Sequence, residues 1–162
     1  MTRPLAWLVL LLIGFSTAGC GTRVDLAQTA RLEEVTTGWF DAGLTEDGMN
    51  KLVPSISLRI RNSGDVAYGS MQLNVLFKRQ GEEDPHSESY VRGVGPEGLA
   101  PDAVTPSIVV RAPQGYTGSQ PRMTMLQNTQ FVDFRAEVFG RHGSATWVKL
   151  GEYPIERQLL TR

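Results

Sequence analysis

The chain has 162 residues, 41% of them apolar, and its sixteen basic side chains nearly balance seventeen acidic ones. That balance argues against a nucleic-acid partner, because phosphate binding needs a clustered basic surface. Cys20 is the sole cysteine, which excludes an intramolecular disulfide and any CxxC metal or redox pair.

Arg3 precedes an apolar run from Leu5 to Phe15, and the small residues Ser16-Thr17-Ala18-Gly19 lead directly into Cys20. A charged start, a short hydrophobic stretch and a small-residue cut site form a secretory signal peptide. With a cysteine immediately after the small residues, this leader resembles a bacterial lipoprotein signal, although Thr17 stands where Leu is usual. The resemblance implies a signal peptide over residues 1–19, with Cys20 becoming the first mature residue and carrying diacylglyceryl and acyl (palmitate-type) groups that anchor it to a membrane. Several acyl chains hold stably, whereas one gives only reversible binding. Gly21, rather than Asp, follows the cysteine, which in a host with two membranes implies the outer membrane, facing the periplasm. Two other readings stay open: cleavage after Ser16-Thr17-Ala18 to release a soluble product, and a membrane span. The span reading falls short of the roughly 20 apolar residues a crossing needs, since Gly14, Ser16, Thr17 and Gly19 interrupt the run.

Residues 20–33 are expected to be a lipidated N-terminus and polar tether, with a short helix conceivable over Leu26 to Leu32 but without an evident cap. Residues 34–162 are expected to be one domain, close to the commonest domain size. Its dominant signal is alternation of period two, the mark of half-buried strands. A first strand is expected at about Glu34 to Phe40. In Leu52 to Arg61, Ile56, Leu58 and Ile60 share one face while Ser55, Ser57, Arg59 and Arg61 share the other. Asn62-Ser63-Gly64-Asp65 then supplies turn residues that tolerate positive backbone angles. The next strand runs from Ala67 to Arg79, with Met71, Leu73, Val75 and Phe77 inward and Gln72, Asn74 and Lys78 outward; Tyr68 falls on the wrong parity, which places a register-resetting bulge at Gly69-Ser70.

Ser89 to Val94 reads as an edge strand after an exposed loop at Gly81 to His86, and Thr105 to Arg111 as a strand with Ile108 and Val110 inward. Phe131 to Gly140 sets Val132, Phe134, Ala136 and Val138 against Asp133, Arg135 and Glu137, and Ala145 to Tyr153 faces the core through Val148 and Leu150. About seven strands and no strong amphipathic helix predict an all-β, immunoglobulin-like antiparallel sandwich. Ile56 to Gly64, followed by Met71 to Phe77 and by Leu99-Ala100-Pro101-Asp102, resembles the FxLYD group of bacterial envelope domains and is similar to cell-adhesion-related sandwich domains. Phe77-Lys78-Arg79 departs from that motif's aromatic and acidic ending, and Asp102 stands where Gly is usual. The resemblance implies a fold and an envelope location, not a reaction.

Ala112 to Gln130 breaks the strand pattern with Pro113, Gly115, Gly118 and Pro121, and long irregular segments in compact domains are often functional. Met123, Met125 and Leu126 are read either as a plug for one open end of the sandwich or, with Tyr116, as an adaptable contact surface for a partner. Trp39 and Trp147 carry the same pair of readings, sheet covering or interface patch. Chemistry is thin. Asp84, His86 and Glu88 lie at alternate positions of a loop, but no further metal ligand accompanies them, and no nucleophile elbow, phosphate loop or HExxH motif occurs. No cofactor and no catalytic residues are expected. These readings converge on a noncatalytic, membrane-anchored interaction or scaffolding module whose partner is another envelope protein. A carrier for an apolar ligand is the alternative, and an enzyme with an unrecognised site ranks third.

Overall fold

The computed structural model describes residues 24–160; Cys20 and the expected signal peptide over residues 1–19 lie outside them. Two mainly antiparallel sheets pack face to face as an all-β sandwich. One contains β1 (Ala30–Leu44), β2 (Asn50–Asn62), β5 (Ile108–Arg111), β6 (Tyr116–Gly118) and β9 (Leu159–Leu160), in the order β5-β2-β1-β9 with β6 also on β2. The other runs β4-β3-β7-β8, formed by Ser87–Val94, Met71–Arg79, Phe134–His142 and Val148–Pro154. The seven expected strands are β1 to β5, β7 and β8, split between the sheets as in an immunoglobulin-like sandwich. β6 and β9 are additions that the alternation does not announce.

The inward sets Ile56, Leu58, Ile60 and Met71, Leu73, Val75, Phe77 are all 0% exposed and interleave with Phe134, Ala136 and Val138. Val132 departs from its expected place: β7 starts at Phe134, and Val132 is 41% exposed. Lys78 keeps its outward parity yet is buried, because its Nζ lies 3.0 Å from the buried carboxylate of Glu137. Ser55, placed on the wet face, is also buried and donates to the Val110 carbonyl.

The folded body begins at Leu26 rather than at Glu34. Asp25 caps the short helix α1 (Leu26–Thr29) by accepting from the Ala27 amide, and Leu26 and Ala30 are core residues. Glu34 falls at a register break in β1, with φ +49°. At the start of β3, Tyr68 is buried and bridges Leu99, so the strand proper begins only after Gly69-Ser70. Asp102 takes φ +59°, the left-handed conformation that Gly adopts most easily.

The strand register defines two poles. At one, Ala30 pairs with Asn62 and Met71 pairs with both Val94 and His142. At the other, Leu44 pairs with Asn50, Asn50 with Gly118 and Arg79 with Phe134. The chain therefore enters the sandwich at the first pole, and the irregular segment after Ala112 closes the second.

Candidate functional site

Part of Ala112 to Gln130 is regular after all. Tyr116–Gly118 adds β6 beside the start of β2, and α2 (Arg122–Gln127) follows Pro121. This helix is a plug on one side and exposed on the other: Met125 and Leu126 are 7% and 1% exposed, whereas Met123 is 48% exposed. Beneath it lies an aromatic cluster. Trp39, fully buried, meets Phe131 edge-on at 4.7 Å and Phe134 at 5.5 Å, while Tyr116 tilts against Phe131 at 4.6 Å and against Trp39 at 5.6 Å. Such offset and edge contacts suit the ring quadrupoles. The Tyr116 hydroxyl donates to the Val132 carbonyl at 3.3 Å.

Charged clamps fix this closure. Arg157 reaches Asp133 with Nε at 2.6 Å from Oδ1, and also donates to the carbonyls of Leu126, Asn128 and Phe131. Arg122 binds Asp41 of β1 at 2.5 Å, and that hydrogen bond holds the Asp41 carboxyl below the usual carboxylate range, against the opposing effect of burial. His86 stacks edge-on against Phe134 at 5.2 Å, and burial pushes its imidazole below the ordinary value. An open hollow of about 280 Å³ lies beside the cluster, between Tyr116, Gly118, Met125, Asn128 and Phe131.

Of the proposed contact residues, Tyr116, Met123 and Met125 thus share the second pole, with Trp39 as its buried floor rather than part of an exposed patch. Trp147 is elsewhere. It lies at the first pole, half-buried, under the guanidinium of Arg141 at 4.6 Å and within 6.0 Å of Tyr90, a ring 61% exposed. Arg157, Asp133, Arg122 and Asp41 escape sequence reasoning because each pairs across a long stretch of chain; only their opposite charges hint at it. Among the described residues no group of three His, Cys, Asp or Glu side chains is placed to hold a metal ion. Asp84 is exposed, Glu88 accepts from Asn74 and Tyr90, and His86 turns to Phe134. Also among the described residues, no helix is long and apolar enough to cross a membrane.

No family model matches the chain, and no curated protein matches it. A solved structure, the X-ray structure of Northeast Structural Genomics Consortium target SoR45, is similar over 81% of this chain and 89% of that one, with 15% sequence identity and a TM-score of 0.45. The assignment to an all-β sandwich rests on the strand pairing of this chain itself.

Proposed function

We propose that the chain is a noncatalytic envelope lipoprotein, held to a membrane through acyl groups on Cys20, whose sandwich binds or scaffolds another envelope protein. In a host with two membranes it sits on the outer membrane and faces the periplasm. The observation that carries this reading is the opposition of the two poles. Cys20 is six residues from Leu26, a reach of roughly 20 Å at full extension, so an anchor there keeps the first pole at the bilayer surface. β1 spans the sandwich, roughly 50 Å for its fifteen residues at about 3.3 Å each, and ends near α2 with its exposed Met123. A methionine on such a surface adapts to a partner at little cost. The carrier alternative calls for an apolar cavity of about 300 Å³ between splayed sheets; the facing side chains described there are 0% exposed and interleaved, which favours the interaction reading.

A photo-crosslinking residue placed at Met123, or at Ser144 on the first pole, tests this reading in intact cells. A discrete protein adduct from position 123 and none from 144 is expected. Equal labelling at both positions, or none at 123, contradicts it.

A further inference from the structure

The outer face of the β5-β2-β1-β9 sheet carries a trough of about 470 Å³ that is lined in part by the hydroxyls of Ser55, Ser57 and Ser107. Ser57 and Ser107 share a hydrogen bond at 3.1 Å, and Ser55 is 1% exposed. Val109, 51% exposed on β5, and Leu160 on β9 form apolar walls. Arg111 stands at the rim with its guanidinium stacked 3.5 Å above the Phe40 ring. Among the described residues no carboxylate lies within ion-pair distance of Arg111, and it donates no hydrogen bond, a state it shares with Arg92 of β4, whereas the arginines of β1, β2 and β7 all pair or donate. Among the described residues no acidic side chain lines the trough. A cation fixed against an aromatic ring, with its planar donor fork unspent, matches a carboxylate bidentately.

We propose that this trough binds the C-terminal carboxylate of an extended peptide whose last residue is apolar, with Arg111 on the carboxylate and Val109, Phe40 and Leu160 around the side chain. The hydroxyl lining decides between this ligand and a fatty acid. An aliphatic chain laid over Ser55, Ser57 and Ser107 strips water from hydroxyls without replacing its hydrogen bonds, which is unfavourable, whereas a peptide backbone supplies donors and acceptors. The inference is independent of the pole-to-pole reading, because it concerns a sheet face and not Met123 or Cys20.

The test uses the full chain in phospholipid nanodiscs with Val and Leu methyl groups labelled for NMR. The probes are the acetylated tripeptide alanyl-seryl-leucine, its C-terminal amide, and hexanoate. The expected result is a saturable shift of the Val109 and Leu160 methyls by the acid, binding at least about tenfold weaker for the amide, and loss of that acid-over-amide preference in Arg111→Gln. Ser57→Leu, which fills the trough while leaving Arg111 in place, is expected to remove binding of both peptides; unchanged methyl spectra elsewhere establish that the variants are folded. Equal binding of acid and amide, hexanoate binding tighter than the peptide, or no shift at millimolar peptide overturns the proposal.

Discussion

Asn62 shows how one side chain fixes a turn. It is 0% exposed; its Nδ2 donates to the carbonyls of Val66 and Leu99, and its Oδ1 accepts from the Gly64 amide. Turn propensity alone predicts an exposed Asn here, but the side chain has become an internal substitute for backbone pairing between the β2–β3 turn and the Leu99 loop. Asn62→Ala leaves those groups without partners, and a loss of about 3 kcal/mol in urea unfolding is expected. Glu137 is the second decisive residue. Burial raises its pKa, but hydrogen bonds from Lys78 and Lys149 outweigh that, and the carboxyl ends below its ordinary value of 4.5. A carboxyl with a depressed folded pKa stabilises the fold above its unfolded pKa and loses that contribution as pH falls through the folded value. Unfolding measured between pH 3 and 7 is therefore expected to show the wild type losing its advantage over Glu137→Gln below about pH 4.5, and an advantage that is constant with pH contradicts the assignment.

Among the elements, the strands were legible and the closures were not. Alternation marked Ile56 to Ile60 and Met71 to Phe77 because each has one dry and one wet face, a pattern that needs several residues to appear. β9 has two residues and β6 three, too few to carry any period. α2 follows a proline and spans under two turns, so its apolar Met125 and Leu126 look like an irregular cluster. Lys78 and Glu137 were misleading for a different reason: parity reports which face a side chain occupies, not whether neighbouring charges cover it. β9 is held by long-range bonds. The Trp39 amide donates to the Gln158 carbonyl at 2.8 Å, Gln158 Nε2 donates to the Thr37 carbonyl at 2.7 Å, and the Thr37 hydroxyl donates to the Pro154 carbonyl. Gly38 makes room for this strand, since a Cβ there would lie 2.8 Å from Leu160 Cγ and 2.9 Å from the Gln158 carbonyl oxygen. Gly38→Ala is expected to release β9 and to speed hydrogen exchange of the Trp39 amide by tenfold or more, with the amides of β3 and β7 unchanged.

For the whole molecule, the fold is set by the described residues 24–160, whereas the proposed address rests on Cys20 and the residues before it. The sandwich follows from interleaved apolar faces, whose alternation made its strands readable, whereas the aromatic closure at the second pole joins residues far apart in the chain. The proposed role depends on Cys20, because an anchor N-terminal to α1 would turn the first pole to the bilayer and the α2 pole outward. Intact-mass and N-terminal peptide mass spectrometry of the protein recovered from its own membranes tests that dependence most directly. The expected result is a mature chain beginning at Cys20 with acyl glyceride mass on its thiol; a chain that retains Met1, or one that begins at residue 19 with a free thiol at Cys20, contradicts it.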